Sequence, residues 1–238
     1  MVSSGKRIII KLSGEVLGGD NQLFVQEKID KIANILVDIH RMGYEVGVVI
    51  GAGNIARGRN KNPNLSNVKA DQIGMLGTVM NCLYMADVIN HMGVKAQVLS
   101  AIEMPKFAEV YNTDKAIEYL KDNRIVFFAA GSGNPFFTTD TAVVLRAIEV
   151  EADTILFAKA INGVYTDDPR KNPDAKFIPE ISYEKALSMN LEVIDTSAFL
   201  LCAQYKVPTM HLFELKDPEN MLKVLAGERI GSILYPEK

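Results

Sequence analysis

The chain has 238 residues, 48 % of them hydrophobic and 23 % charged, which suits one large α/β domain, or two small lobes around a shared sheet, with a sizeable core. A formal net charge of −3 excludes any general attraction to DNA or RNA, so a phosphorylated ligand has to be held by local groups. Cys82 and Cys202 lie far apart in apolar surroundings without CxxC spacing and read as buried thiols; His40, His91 and His211 are equally scattered, so neither a disulfide framework nor a His/Cys metal site is expected.

No apolar run approaches the ~20 residues of a membrane span. Lys11 interrupts the apolar residues that follow Met1–Arg7, so no signal peptide is read there. The expected location is a reducing cytoplasm.

In chain order, Arg7–Leu12 (RIIIKL) reads as a buried strand. Gln26–Met42 follows as a helix with Ile29, Ile32, Ala33, Leu36 and Ile39 on one face, and Gly43 ends it. Glu45–Ile50 (EVGVVI) is a strand, Gln72–Met92 a long helix closed by Gly93, and Ala96–Leu99 and Ile125–Ala129 are further strands. A helix over Thr139–Glu149 and a strand over Thr154–Phe157 come next. Asp167–Pro179 (DDPRKNPDAKFIP) reads as a surface loop or small hairpin. The chain ends with helices over Tyr183–Ser188 and Thr196–Tyr205, a strand over Thr209–Leu212, a helix near Pro218–Ala226 and a strand over Ser232–Leu234. Alternating apolar strands and helices predict an α/β three-layer sandwich, a mostly parallel central sheet with helices on both faces. Ligands then belong just beyond the carboxyl ends of the strands.

Four segments at those ends carry polar or glycine-rich sequence. Lys11-Leu12-Ser13-Gly14-Glu15 can set an ammonium and backbone N–H groups against phosphate oxygens, though alone it also reads as a solvated lysine beside a turn. GxxxxGK[ST] is absent from the chain, so a P-loop kinase is excluded. Gly51-Ala52-Gly53-Asn54-Ile55-Ala56-Arg57-Gly58 allows close backbone approach to a ligand, with Arg57 suited to clamping phosphate. It matches the dinucleotide fingerprint poorly, and no acidic residue ends a second strand about 20 residues on. Ala130–Asp140 (AGSGNPFFTTD) is the most polar connection: Thr138 and Thr139 can bond phosphate while capping the next helix, and Phe136 and Phe137 can wall a base or pack in the core. In Asn162–Pro169 (NGVYTDDP), Tyr165 can stack on adenine and an Asp can accept from ribose; read alone it is an ordinary turn.

Together and in this order, KLSGE, VVIGAGN, SGNPFFTTD and NGVYTDDP resemble the bacterial uridylate kinases of the amino-acid kinase superfamily, from Arg7 to about Ile233. GNPFFTTD is the discriminating piece. The resemblance implies one domain over residues 1–238 that phosphorylates UMP with ATP, with about 1–150 mainly for UMP and about 151–238 mainly for ATP. It implies Lys11, Leu12, Ser13, Gly14, Gly53 and Arg57 at the ATP phosphates, Lys159 as a second ATP-side contact, and Tyr165 and Asp168 at the adenosine. UMP would meet Ala52, Asp71 and the run Ser132, Gly133, Asn134, Pro135, Phe136, Phe137, Thr138 and Thr139. Lys11 and Arg57 would neutralise the charge of the transferred group, with Asp140 organising Lys11. Mg²⁺ would arrive on ATP, held by its oxygens and water and not by a protein cage. A homohexamer and inhibition by UTP are also implied.

The chain departs from the family at GAGN for GGGN, at Asn162 where VDGV is usual, and at Gly19–Phe24, the stretch tied to GTP activation in some members. Two other readings share the motifs. One is a relative that phosphorylates a carboxylate or carbamate; the other is a silent nucleotide-binding subunit, which has no need to keep Lys11, Arg57 and Asp140 together.

Overall fold

A computed structural model describes residues 6–19, 21–56 and 64–237. Arg57 and Gly58 of the second segment lie outside the described residues. Among those described, nine strands form one sheet in the order β4-β3-β5-β2-β1-β6-β10-β11-β9. The strands are β1 (Arg7–Leu12), β2 (Glu45–Ile50), β3 (Ala96–Ser100), β4 (Glu109–Val110), β5 (Ile125–Ala129), β6 (Thr154–Lys159), β9 (Glu180–Ser182), β10 (Thr209–Glu214) and β11 (Ser232–Tyr235). Every neighbouring pair is parallel except β10 with β11. Two short strands, β7 (Val164–Tyr165) and β8 (Phe177–Ile178), pair as the small hairpin foreseen around Asp167–Pro179.

The sheet is covered on both faces, and period-2 alternation divides its side chains between two cores. Ile8 and Ile10 enter the core under α1 (Gln26–Arg41), α2 (Asn67–His91) and α7 (Asn220–Leu225); Ile9 enters the opposite one. The same split separates Leu156 from Ile155 and Phe127 from Val126 and Phe128. The second core lies under α3 (Thr113–Lys121), α4 (Thr139–Glu149), α5 (Tyr183–Ser188) and α6 (Thr196–Gln204). Each fully buried Ile, Leu or Phe contributes roughly 1.5–3 kcal/mol of transfer free energy.

Three departures from the sequence reading bear on the site. First, α2 begins at Asn67 and not Gln72, because Ser66 caps it by accepting from Lys69 N at 3.4 Å. Asp71 therefore sits in the second turn of the helix. Second, α3 and β4 were not foreseen, although Ala116, Ile117 and Leu120 give α3 an apolar face packed in the core. Third, α2 is long and apolar enough to cross a bilayer, contrary to the reading that no run approaches that length; half of its most apolar stretch is buried in the core.

β1 and β2 bring the first two segments together. A Cβ on Gly14 would stand 2.3 Å from Gly51 O and 2.8 Å from Gly53 N; one on Gly53 would stand 2.8 Å from Glu15 Cγ. Gly14 is glycine because the two turns touch there. Gly14→Ala should therefore lower stability by about 1–3 kcal/mol through overpacking, a Tm loss of roughly 2–12 °C, and should depress kcat/KM for both substrates, which calorimetry and steady-state kinetics would check.

Candidate active site

Lys11 follows Ile9 onto the α4 face of the sheet by strand alternation, and the β1–β6 register sets it beside Phe157. Its ammonium lies 5.1 Å from the Phe157 ring centroid and 3.4 Å from Asp140 Oδ1. Asp140 stands in the first turn of α4, where a carboxylate also gains from the helix dipole. Its Oδ2 accepts from Lys159 Nζ, at the end of β6, at 2.7 Å. Lys159 also donates to Val193 O at 2.5 Å. All three side chains are largely enclosed, at 8, 13 and 22 % exposure for Lys11, Asp140 and Lys159. Two ammoniums share this one carboxylate, and the charge of Asp195 also acts on Lys11.

Burial pulls Lys11 below the usual lysine range against the upward pull of Asp140. Burial alone would raise Asp140, but Lys11 and then Lys159 outweigh it and hold the carboxyl below its usual range. The unfolded chain therefore binds more protons than the fold at this carboxyl. Its stabilising contribution is in place above pH 3.8, the ordinary value, and is lost as pH falls through the lower folded value. Denaturant unfolding followed from about pH 5 down to about pH 1 should show that loss in the native chain and a smaller one in Asp140→Asn. On the alkaline side, turnover should decline with an apparent pKa below 10.5 as Lys11 loses its proton, read from a pH–rate profile.

Two cavities flank this cluster. The larger, about 860 Å³, is bordered by Lys11 and Asp140 and contains Ala52, Gly53 and Ser13 on one wall. Asp71, Ser132, Asn134, Phe137, Thr138 and Thr139 form the other. The second, about 530 Å³, is bordered by Lys159, Tyr165, Asp168 and the segment Met189–Val193. Both volumes fall in the range of small-ligand sites. Lys11 and Thr139 thus open onto one space.

The remaining foreseen residues are placed as follows. Leu12 is fully buried, so only its backbone is left to face a ligand. Gly133, Pro135 and Phe136 do not border the larger cavity. Gly133 (φ 80°) instead lets the loop pass Ala101, where a Cβ would stand 3.0 Å from Ala101 O. Phe136, 61 % exposed, donates its N–H to Asp71 Oδ2 at 2.7 Å, which ties the loop to α2. Tyr165 donates to Asn162 Oδ1 at 2.9 Å, so Asn162 orients the ring at the second cavity. Asp168 accepts a fork from Arg170, Nε at 2.9 Å and Nη2 at 3.0 Å, and these bonds hold its carboxyl down to about 2. Ser232, fully buried, accepts from Val164 N at 2.8 Å and donates to Ile178 O at 2.6 Å, which anchors the hairpin carrying Tyr165 to β11.

Asp195 was missed by sequence reasoning. It begins α6, borders the larger cavity and accepts from the Thr138 hydroxyl, while its charge acts on Lys11. Asp195-Thr196-Ser197 reads as a helix start, and nothing in that pattern points to a site 57 residues earlier in the chain. Among the described residues, no group of three or more His, Cys, Asp or Glu side chains could hold a metal ion.

A mostly parallel α/β sheet whose strand ends gather a buried lysine–aspartate cluster flanked by two cavities of small-ligand size fits a phosphotransferase. The chain belongs to the amino acid kinase family, whose profile matches residues 6–212. Within that family its relatives are uridylate kinases. The one from Legionella pneumophila is 42 % identical over 231 residues, covering 96 % of this chain and 93 % of the relative. That of Methylococcus capsulatus is 43 % identical over 231 residues, covering 96 % of each. Among solved structures, the UMP kinase from Bacillus anthracis superposes with a TM-score of 0.90 at 35 % identity, covering 98 % of this chain and 96 % of that one.

Proposed function

We propose that this uridylate kinase relative moves the γ-phosphoryl group of ATP onto UMP, giving UDP and ADP, as one step of pyrimidine nucleotide biosynthesis. The observation that carries the reading is the Lys11–Asp140–Lys159 cluster, in which Lys11 and Asp140 border the larger cavity and Lys159 the second. UMP occupies the larger one, its phosphate against Thr139 and Lys11, its ribose at Asp71 and its base toward Ser132–Phe137. ATP lies with adenosine at Tyr165 and Asp168 and its phosphates along Lys159, Ser13 and Gly53. The N-terminal part, about residues 1–150, thereby serves mainly the acceptor, and the part after it mainly the donor.

Phosphoryl transfer passes through a loose transition state, so position and charge neutralisation dominate. The UMP phosphate is already anionic and attacks without a base. Lys11 and Lys159 meet the charge gathering on the transferred group, while Asp140 keeps both ammoniums aimed and charged. Arg57 is assigned a second clamp on the phosphates from the family resemblance alone. Mg²⁺ suits a donor set in which the nearby carboxylates, Asp140 and Asp195, already serve lysine and threonine partners. Carried on ATP, it would supply Lewis-acid neutralisation of phosphate charge. A homohexamer, inhibition by UTP and a cytoplasmic location follow from the same resemblance.

The test is an acceptor panel with ATP and Mg²⁺. Product formation should be fastest with UMP, with aspartate, acetylglutamate and carbamate inert. Faster ADP release with a carboxylate than with UMP would overturn the assignment, as would tight ATP binding with no turnover on any acceptor.

A further inference from the structure

Among the buried polar residues with no part assigned in the reaction are two on α2, of which Thr78 also borders the larger cavity. Thr78 and Asn81, 6 % and 0 % exposed, stand one turn apart on the face of α2 turned toward the sheet. Asn81 donates to Gly51 O at 2.7 Å and exchanges amide hydrogen bonds with Asn54 at 2.9 and 3.0 Å. It thus holds the glycine turn that follows β2. Thr78 Oγ1 donates to Met75 O at 2.7 Å and accepts from Ala130 N at 2.8 Å. With one proton, the hydroxyl is spent on the helix carbonyl, and what it offers the loop is an acceptor.

That acceptor falls at a telling place. Ala130 (φ 63°) and Gly131 (φ 59°) are successive left-handed residues between the end of β5 and the run Ser132–Thr139. Alanine resists this conformation because its Cβ crowds the following carbonyl, so it persists only where neighbours impose it. Thr78 is 52 residues away and supplies the imposing bond from a rigid helix.

We propose that Thr78 is a positioning residue for the acceptor. By holding the Ala130 N–H it fixes the turn from which Ser132–Thr139 springs, at a set distance from the glycine turn that Asn81 holds on the same helix face. α2 thereby spaces the two ligand-bearing loops. This rests on the reading of the larger cavity as the UMP site.

Thr78→Val keeps the shape and removes the acceptor, leaving a buried N–H without a partner. KM for UMP should rise about tenfold, with kcat and KM for ATP within about twofold of the native values, and Thr78→Ser should restore KM. A purely structural role would move kcat, both KM values and Tm together. Without any ligand, the Ala130 amide should exchange about tenfold faster in Thr78→Val than in the native chain or Thr78→Ser, followed by NMR. Unchanged amide exchange in Thr78→Val would overturn the proposal, and so would a Thr78→Ser enzyme as impaired as the valine variant. If the native chain fails to phosphorylate UMP, the functional reading falls while the exchange comparison still decides the role of Thr78.

Discussion

Replacing Asp140 with alanine is expected to cut turnover by about 10³-fold and to lower stability by roughly 3–5 kcal/mol, the cost of breaking a buried ion pair from one side. Two ammoniums within 3.4 Å of one carboxylate lose their shared counter-charge together, in a place where water replaces it poorly. Part of the loss is relieved when one lysine gives up its proton, and that removes the charge the transferred phosphoryl group needs. The two losses separate on adding nucleotide. An anion bound between Lys11 and Lys159 supplies the missing negative charge, so saturating ATP should raise the Tm of Asp140→Ala by more than it raises that of the native chain. Equal shifts in calorimetry would mean that ATP phosphates do not reach the cluster. A variant with native Tm and kcat would remove the cluster from the mechanism.

Much of this arrangement is legible in the sequence, and the boundary of legibility has a physical cause. Strand cores such as RIII and VGVV have no polar alternative, so β1 and β2 declare themselves, and the rule that ligands gather at strand ends marks Lys11, Gly53 and Thr139 in advance. Lys159 was foreseen only as a contact with ATP; its bond to Asp140 comes from the β1–β6 register and from α4, and its bond to Val193 from the segment between α5 and α6, none of which a local pattern encodes. Asp195 looks like any helix cap until α6 packs beside α4. Thr78 and Asn81 sit in a helix so apolar that they read as tolerated polar residues, and their meaning appears only once Ala130 and Gly51 stand against them. Phe136 reverses the pattern. Its place in GNPFFTTD suggests a wall for the base, yet its backbone makes the useful bond, to Asp71, and its ring is largely exposed.

Lys11→Ala should behave as the opposite of the aspartate variant in stability and its equal in kind in chemistry. Removing Lys11 lifts a desolvated ammonium out of the core and leaves Asp140 with its nearer partner, Lys159 at 2.7 Å, so the Tm should stay within a few degrees of native. Turnover should still fall about 10²–10³-fold, equivalent to ~3–4 kcal/mol of transition-state stabilisation, because a preorganised donor at the reacting oxygens is gone. The decisive measurement is the double-mutant cycle. With only Lys159 left to be stranded, Asp140→Ala should cost less stability in the Lys11→Ala background than in the native one, a coupling of roughly 0.5–3 kcal/mol. Additive costs would show that Lys11 and Asp140 act independently, and the charge balance between them would no longer explain how the site is poised for an anion. A Lys11→Ala enzyme with near-native kcat would exclude Lys11 from the reaction even if the coupling were present.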